Sequence, residues 1–495
     1  MSRATGHAAP ATERIITMDT SRRTKIVATA GPATDDPGVL AEMMRAGVNV
    51  VRLNASHGTR ADLERRLRLV RAAAEEVNSS IGVLLDLGGP KIRIEGFVGG
   101  RIQLIEGQPF TLDTAMDPKG GTVERVGVAY RDLPRDVTAG DTLLLSDGQI
   151  VLDVERVAGT QIDCRVRAGG ELSDRKGLNR QGGGISAPAL SDKDREDIRF
   201  AAESAIDYVA VSFARGPADV EQARTLVREA GSDAHIVAKI ERHEAIANLN
   251  GIISAADVVM VARGDLAVEM GYAELTGLQK TIIHQSRAKN RVVITATQMM
   301  ESMIQSPVPT RAEVSDVANA VMDGTDAVML SAESATGRYP VKAVQAMAQV
   351  IGGAEKYQLA HSRTRHRVDG LFLGTEEAIA MAVMYTANHM KVRAIVALTE
   401  SGATPLWMSR IRSDIPIYAF TRHQETLRRV TMYRGVYPVI FDVTDARAVE
   451  TLYNSIFSRL LDLALVRRGD LVILTKGELT GVEGGTNSMQ ILQVP

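Results

Sequence analysis

The feature that most constrains the fold of this chain is a repeated alternation of short apolar runs with amphipathic helical patterns. Each run is rich in β-branched residues, has the length of a strand and ends in a polar or Gly-rich turn. The eight runs are residues 25–31, 48–54, 81–87, 208–213, 235–241, 257–262, 291–296 and 326–331. Alternation of this kind predicts parallel strands joined by helices, and eight units are the number in a TIM (β/α)8 barrel.

An open, doubly wound α/β sheet is the structural alternative. That fold needs a Gly-rich phosphate-binding turn after its first strand. Residues 30–34, which read Ala-Gly-Pro-Ala-Thr, do not match such a turn. The α/β barrel is therefore the fold that we predict.

The alternation is interrupted between residues 90 and 188, where short alternating strands and Gly or Asp turns replace helical patterns. We predict an inserted all-β domain in the form of a β-barrel, and we expect its closing glycines 182–184 to be flexible. The predicted domains are a flexible N-terminal tail at 1–20, a barrel domain at 21–89 and 189–360, the insert at 90–188 and a C-terminal α/β domain at 361–495. The C-terminal elements that we predict are a helix at 375–390 and strands at 394–398, 415–421, 438–442 and 470–475.

The composition excludes several classes of protein. The formal net charge of the 495 residues is −2, which gives no global argument for binding nucleic acid or an acidic membrane. Cys164 is the only cysteine, so a disulfide framework is impossible and the composition fits a reducing compartment. Because no apolar run could span a bilayer and residues 1–20 lack a signal-peptide pattern, we expect a cytoplasmic protein.

Two strand ends carry the residues with the clearest chemical meaning. Lys239 and Glu241 are two residues apart, which is the period of one strand face, so their side chains point the same way. Asp265 follows Gly264 at the end of the next strand. Active sites of TIM barrels lie at the C-terminal ends of the strands. Two carboxylates and a lysine meeting there suit Mg²⁺ or Mn²⁺ and an anionic substrate.

Each of these residues also has an ordinary structural interpretation. Glu241 and Asp265 could be carboxylates at helix starts. Lys239 could be their salt-bridge partner or a Schiff-base nucleophile, although a lysine beside two carboxylates should stay protonated, which disfavours an imine. Arg52 could pair with Asp86 or bind a phosphate, and the sequence leaves both possibilities open.

Two further residues keep an ordinary alternative as well. His57 lies in a Ser-His-Gly turn and fits a turn residue better than a general base, and Thr297 could be present for its β-propensity alone. The residue types alone indicate either phosphoryl transfer or enolate chemistry on an anionic acid. The chain has neither a Walker A motif nor a kinase-type Gly-rich loop.

The motifs that contain these residues resemble those of the pyruvate kinase family. The similar motifs occur in order at residues 23–27, 51–58, 89–93, 237–241, 259–266, 296–302 and 309–324. The resemblance runs from about residue 22 to the C-terminus and is more specific than any single short motif. It implies a barrel, a β lid inserted after the third strand, a C-terminal effector domain and a homotetramer.

The resemblance also implies an activity, the transfer of phosphoryl from phosphoenolpyruvate to ADP to give pyruvate and ATP. It assigns Mg²⁺ to Glu241 and Asp265, and charge stabilisation to Lys239. The phosphoryl and carboxylate groups of the substrate are assigned to Arg52, to the backbone of Gly264 and to the hydroxyl of Thr297. The nucleotide phosphates are assigned to Asn54, His57, Arg93 and Lys176.

The expected monovalent-cation site departs from the potassium-dependent pattern. Asn54, Ser56 and Asp86 of that site are present, but Lys91 stands where those members carry a glutamate. The chain thus resembles the potassium-independent, lysine-bearing bacterial branch. Because a fixed ammonium could supply the charge of a monovalent cation, we expect activity without added K⁺.

A candidate effector site lies in the C-terminal domain, at the start of a predicted helix. Its residues are Thr399, Ser401, Gly402 and Thr404. Small residues with free N–H groups can form a phosphate nest, although an ordinary helix cap is the alternative. The resemblance implies a phosphorylated activator there and leaves open whether it is AMP, a sugar monophosphate or a sugar bisphosphate.

Two other functions compete with this interpretation. A Mg²⁺-dependent aldolase or phosphoenolpyruvate mutase would also use a barrel with paired carboxylates, but it would need neither a lid nor an effector domain. A metabolite-sensing scaffold is disfavoured because nearly every predicted barrel strand ends in a polar or charged residue. Formation of ATP from phosphoenolpyruvate and ADP separates these possibilities.

Overall fold

The computed structural model describes residues 20–361, 372, 374–442, 449–477 and 484–495. The predicted tail at 1–20 lies outside this range except for Thr20. The chain divides into two compact units. One contains Arg22–Arg363 and Glu425–Arg434, and the other contains Met1–Ser21, Thr364–Gln424 and Gly435–Pro495.

The first unit is built on a closed barrel of parallel strands. In the described residues, its eight strands are Lys25–Thr29, Val50–Asn54, Gly82–Asp86, Tyr208–Val211, His235–Ile240, Val258–Ala262, Val292–Ala296 and Ala327–Leu330. The first strand pairs with both the second and the eighth, which closes the ring. The barrel prediction is confirmed, and the open-sheet alternative is excluded.

The strands are mainly apolar because helices cover the outside of the barrel and side chains fill its inside. Val258–Ala262 and Val292–Ala296, for example, are buried at every position. The α-helices of this part are Pro37–Arg45, Arg60–Glu76, Asp192–Glu203, Pro217–Glu229, His243–Ala247, Leu249–Ala255, Arg263–Met270, Tyr272–Ala288, Arg311–Asp323, Ala332–Ala335 and Pro340–His361. Short 3-10 helices occupy Pro32–Thr34 and Glu301–Ile304.

Local sequence explains where several of these helices begin. Thr59, Ser191 and Thr310 each accept a hydrogen bond from the backbone three residues later, and an acidic residue there bonds back to the cap. These capping boxes satisfy N–H groups that a helix start otherwise leaves without partners. The helices are thereby fixed at the ends that face the strand termini.

The insert after the third strand consists mainly of antiparallel strands. They are Arg101–Leu104, Pro109–Asp113, Arg125–Gly127, Thr142–Leu145, Ile150–Ala158, Gln161–Ala168, Gly170–Ser173 and Leu178–Arg180. Six of them form one sheet and two form another, together with the short helix Leu133–Asp136. The segment at Arg93 and Ile94 connects the two edges of the six-stranded sheet, since Arg93 pairs with Gly177 beside one edge strand and Ile94 pairs with Val128 beside the other. Cys164 is buried in this part of the chain.

The second unit contains a five-stranded sheet whose last strand is antiparallel. Its strands are Ala394–Leu398, Ile417–Thr421, Val436–Ile440, Leu471–Gly477 and Thr486–Gln493. The helices are Thr375–His389, Ala403–Ser409 and Val449–Asp462, while Gln424–Arg429 and the 3-10 helix Val430–Met432 lie at the segment that groups with the barrel. None of the helices in the described residues has the length and apolar character of a membrane crossing.

Candidate active site

The centre of the candidate site is the ammonium group of Lys239, at the end of the fifth barrel strand. Its Nζ atom donates to Ser212 Oγ at 2.7 Å and lies 2.8 Å from Glu241 Oε1 and 3.2 Å from Asp86 Oδ1. The side chain of Lys239 is 11% exposed, and those of Glu241 and Asp86 are 1% exposed. One ammonium thus bridges two buried carboxylates at the C-terminal end of the barrel.

The charges of this cluster shift one another's proton affinities. Burial by itself lowers the pKa of Lys239, but the negative charges of Asp86 and Glu241 outweigh it and the pKa is raised. Burial favours the neutral form of Asp86, yet Lys239 and Arg52 together hold its pKa below the ordinary value. Lys239 therefore stays protonated, as we predict from the sequence, and it is unsuited to imine chemistry.

Arg52 pairs with Asp86, which is one of its two predicted roles, and still has a donor group that could bind an anion. Its Nε donates to Asp86 Oδ2 at 2.7 Å, and one terminal nitrogen donates to Thr29 Oγ1 at 3.1 Å. The other terminal nitrogen of Arg52 donates to no residue in the described parts of the chain. Because Asp86 fixes the guanidinium plane, Arg52 presents an oriented donor for an anion.

Glu241 and Asp265 are the residues that the sequence predicts as ligands of a divalent cation. Burial and the neighbouring charge of Asp265 raise the pKa of Glu241, while Lys239 opposes that shift. A divalent cation would relieve the repulsion between the carboxylates, so the residues fit Mg²⁺ or Mn²⁺. The described residues contain no group of three or more His, Cys, Asp or Glu suited to a metal. Two carboxylates leave coordination positions for water and substrate oxygens, which is how Mg²⁺ is commonly bound.

Thr297 lies in a strained turn directly beyond the seventh strand. Its φ angle is 68°, and that of Gln298 is 53°, so two consecutive non-glycine residues occupy the left-handed region. The Thr297 hydroxyl accepts from the Gly264 backbone at 2.8 Å. The buried guanidinium of Arg263 donates to Thr297 O at 2.7 Å and to Ala296 O at 3.2 Å. These bonds join the strand ends that carry Gly264 and Thr297.

Phe213 is a second strained position on the same rim. The fourth strand ends at Val211, and Phe213 has a φ angle of 57°. Its backbone N–H donates to Glu241 Oε2 at 2.7 Å. Both oxygens of Glu241 therefore have a donor, one from Lys239 and one from this turn.

The residues expected at the nucleotide lie at the junction of the barrel and the insert. Partial burial and the charges of Arg93, Arg52 and Lys91 lower the pKa of His57, so His57 is a neutral group among cations. Arg93 donates to Arg175 O at 3.2 Å. Lys176 is exposed, and its backbone carbonyl accepts from Ile94 N at 3.0 Å, which places it beside the segment that carries Arg93. The cations form a positive surface suited to phosphates.

The expected monovalent-cation residues are only partly brought together. Asn54 Oδ1 accepts from the Ser56 backbone at 3.0 Å, and Asp86 is occupied by Arg52 and Lys239. Lys91 Nζ lies 3.4 Å from Asp265 Oδ1 and 4.0 Å from Asp147 Oδ1. Within the described residues, Lys91 therefore pairs with the expected Mg²⁺ ligand and not with Asp86.

The expected effector loop has a firm internal structure. The helix begins at Ala403, and Gly402 precedes it with a φ angle of 90°. Thr399 Oγ1 accepts from the Gly402 backbone at 2.9 Å. Thr404 is buried, and its hydroxyl lies 2.6 Å from that of Thr486, whereas Thr399 and Ser401 are partly exposed. Thr404 thus supports the loop, and the exposed hydroxyls are those of Thr399 and Ser401.

Sequence reasoning gave no role to Ser212, Phe213, Thr29 or Arg263. Ser212 had a usable signal, because it is the polar residue that follows the fourth strand. The contribution of Phe213 is a backbone N–H in a left-handed turn, and a side-chain pattern carries no information about it. Thr29 and Arg263 act on partners that are distant in sequence.

Comparisons with known proteins agree with this geometry. Residues 21–344 match the family profile described as pyruvate kinase, barrel domain, and residues 377–492 match the pyruvate kinase alpha/beta domain. Among curated proteins, the chain is 51% identical over 477 residues to pyruvate kinase II of Salmonella typhimurium, covering 96% of this chain and 99% of the relative. It is 52% identical over 461 residues to pyruvate kinase of Haemophilus influenzae, covering 92% and 96%.

A solved structure is also similar over nearly the whole chain. It is a pyruvate kinase from Cryptosporidium parvum, with a TM-score of 0.88 and 33% sequence identity. The similarity covers 96% of this chain and 97% of that one.

Proposed function

This chain belongs to the pyruvate kinase family, and we propose that it transfers phosphoryl from phosphoenolpyruvate to ADP at the rim around Lys239. The observation that carries this proposal is the protonated lysine held between Asp86 and Glu241, 2.7 Å from Ser212. A fixed positive charge in a nearly dry site stabilises negative charge that develops during reaction. The transferring phosphoryl and the enolate both carry such charge.

We propose that Glu241 and Asp265 hold Mg²⁺ or Mn²⁺. When bound, the ion supplies Lewis-acid stabilisation to the phosphoryl and carboxylate oxygens of the substrate. The raised pKa of Glu241, caused by burial and by the charge of Asp265, supports this assignment. Lys91 must then leave Asp265 or share it, because its ammonium lies 3.4 Å from the same carboxylate.

The substrate groups are distributed over the remaining donors. We propose that Arg52, oriented by Asp86, binds the phosphoryl group, and that the Gly264 backbone and the Thr297 hydroxyl face the substrate carboxylate. The turn at Thr297, held by Arg263, supports a fixed position for that hydroxyl. A water chain near Thr297 then protonates the enolate at carbon to give pyruvate.

We propose that ADP binds at the junction with the insert and that the insert at 90–188 acts as a lid. Asn54, His57, Arg93 and Lys176 face the nucleotide phosphates in this proposal. A lid that excludes water protects phosphoryl transfer from hydrolysis. The cations around His57 support phosphate binding at this place.

We propose that turnover needs no added K⁺. Lys91 supplies a positive charge on the rim at the position where potassium-dependent members carry a glutamate. The ammonium acts from beside Asp265, and its charge is close enough to His57 to affect that residue's pKa. The rim therefore carries this positive charge even when no monovalent cation is bound at Asn54, Ser56 and Asp86.

Our proposals for regulation and assembly rest on the family to which the chain belongs. We propose that a phosphorylated activator binds at Thr399, Ser401 and Gly402, and that the protein is a cytoplasmic homotetramer. The double substitution Thr399→Ala with Ser401→Ala should reduce activation about tenfold, since charge-assisted hydrogen bonds to phosphate are lost. Activation curves with AMP, a sugar monophosphate and a sugar bisphosphate test this, and unchanged activation by all three would contradict it.

The activity itself is tested by product analysis. Phosphoenolpyruvate, ADP and Mg²⁺ should give ATP and pyruvate in equal amounts, measured by luciferase and by lactate dehydrogenase coupling. Consumption of phosphoenolpyruvate without ATP formation would instead indicate a mutase or lyase reaction. Binding without consumption would indicate a sensing scaffold.

A further inference from the structure

The insert is joined to the barrel by two connectors that pair with each other. Leu178 N donates to Ile92 O at 2.9 Å, and Ile94 N donates to Lys176 O at 3.0 Å. The paired connectors form a short ribbon. The return connector then continues through residues 181–187 to the barrel.

The three glycines of the return connector form a tight, bonded turn. Gly182, Gly183 and Gly184 have φ angles of 80°, 77° and 91°, all in the left-handed region. Arg180 bonds across the turn to Gly183 O at 2.9 Å and reaches Asp141 of the insert at 2.8 Å. These bonds contradict our expectation that the glycines form a flexible linker.

The barrel side of this turn is a charged pair that follows the candidate metal ligand Glu241. Gly184 N donates to Glu244 Oε1 at 2.6 Å, and Arg242 donates to Ile185 O at 3.1 Å. Arg242 also donates to Glu244 Oε1 at 3.3 Å and is 4% exposed. The turn, Arg242 and Glu244 therefore form one hydrogen-bonded unit.

The fit is close at two of the three glycines, because a Cβ atom at Gly184 would overlap the guanidinium of Arg180 and one at Gly183 would overlap Glu244. A Cβ atom at Gly183 would lie 2.8 Å from the Glu244 carboxylate. A Cβ atom at Gly182 would meet nothing within 4 Å. Gly182 and Gly183 have the same left-handed backbone, so an added Cβ is strained alike at both, and of these two only the Cβ at Gly183 would meet Glu244.

We propose that Arg242 and Glu244 are positioning residues that latch the return connector at 183–185 and set where the insert stands over Glu241. This inference rests on the proposal that the insert is a lid. A cavity of about 20 Å³ between the connectors and the barrel is lined by Asn179, Ile185 and Arg242. It has room for about one water molecule, so the buried Ile185 of the connector lies close to the barrel side chains there.

The test compares Gly183→Ala with its matched control Gly182→Ala in the full chain. Amide hydrogen exchange of residues 178–187 is measured beside the KM values for ADP and phosphoenolpyruvate. We expect Gly183→Ala and Glu244→Ala each to raise connector exchange and the KM for ADP about tenfold, the effect of losing a charged hydrogen bond. Gly182→Ala has the same backbone strain without the contact to Glu244, so it should raise both by at most about threefold. The conservative Glu244→Gln keeps the acceptor oxygen and should change both by less than about twofold.

The double variant Gly183→Ala with Glu244→Ala gives the decisive result. Because the clash disappears with the carboxylate and only the backbone strain remains, we expect its exchange to exceed that of Glu244→Ala by no more than Gly182→Ala exceeds the unsubstituted protein. The proposed latch would be contradicted if the double variant showed the product of the two single effects on exchange. It would also be contradicted if Gly182→Ala and Gly183→Ala raised exchange and the KM for ADP equally. Raised exchange with an unchanged KM for ADP would support the latch and refute the lid's proposed part in nucleotide binding.

Discussion

The two lysines of the rim differ in how tightly the protein holds them. The Lys239 ammonium lies within 3.2 Å of three oxygen acceptors, and its side chain is 11% exposed. The Lys91 ammonium is 3.4 Å and 4.0 Å from single oxygens of Asp265 and Asp147, and its side chain is 29% exposed. Lys239 is a preorganised charge on the barrel. Lys91 is an adjustable charge beside the insert.

This difference follows from where the two side chains originate. Lys239 belongs to a strand whose neighbours on both sides contribute polar ends, so its partners are supplied by the barrel itself. Lys91 lies beyond the third strand, at the entrance to the insert. A preorganised charge serves the chemical step, whereas an adjustable charge can respond to the ion and substrate.

The largest effect should come from removing the preorganised charge. Lys239→Met should lower kcat about 1,000-fold, the size seen when one preorganised donor for a developing anion is lost. The KM for phosphoenolpyruvate should change little, because Arg52 and the carboxylates remain. Steady-state kinetics measures this, with circular dichroism as the control for folding. A loss in KM alone would place Lys239 in ground-state binding.

A smaller effect should come from the adjustable charge. Lys91→Glu should lower turnover about tenfold in K⁺-free buffer, since the charge beside Asp265 at a partly exposed position is changed. Added KCl should restore most of the rate. Titration of KCl at fixed Mg²⁺ measures the recovery, and Lys91→Gln serves as the neutral control. No response to KCl in Lys91→Glu would contradict a shared role for the ammonium and K⁺.

The smallest effect on activity concerns a buried carboxyl beside Arg242, that of Glu269. Burial raises the pKa of Glu269 to about 7, against the hydrogen bond from His243 N. The folded protein then holds a proton between pH 4.5 and 7 that the unfolded chain has released, so this group lowers stability as pH rises.

Glu269→Gln should remove that penalty. Its stability relative to the unsubstituted protein should grow between pH 4.5 and 8 by at most about 3 kcal/mol, with kcat nearly unchanged. Urea unfolding at several pH values measures the difference. A difference that does not vary with pH would show that Glu269 titrates normally.

The sequence was sufficient for most of the barrel because each strand is an apolar run with a polar end. The predicted runs at 48–54 and 235–241 differ from Val50–Asn54 and His235–Ile240 by two residues or fewer at each end. The strand Thr486–Gln493 was missed because it is mainly polar, and its pairing is antiparallel to Leu471–Gly477. A polar edge strand has little periodic signal of its own.

The site was predictable where one strand carries two partners and unpredictable where the backbone turns. The spacing of Lys239 and Glu241 placed their charged groups together, and they lie 2.8 Å apart. The left-handed turn at Phe213 depends on tertiary packing that residue type does not encode. The pairing of Lys91 with Asp265 depends on how the insert leaves the barrel, which spacing along the chain cannot specify.

The comparison of the two lysines is tested most directly by one assay. ATP formation from phosphoenolpyruvate, ADP and Mg²⁺ is measured in tetramethylammonium buffer, with and without KCl, for the unsubstituted protein, Lys239→Met and Lys91→Glu. We expect full turnover of the unsubstituted protein without KCl, rescue of Lys91→Glu by KCl and no rescue of Lys239→Met. A strict requirement of the unsubstituted protein for KCl would show that the Lys91 ammonium does not replace the monovalent cation.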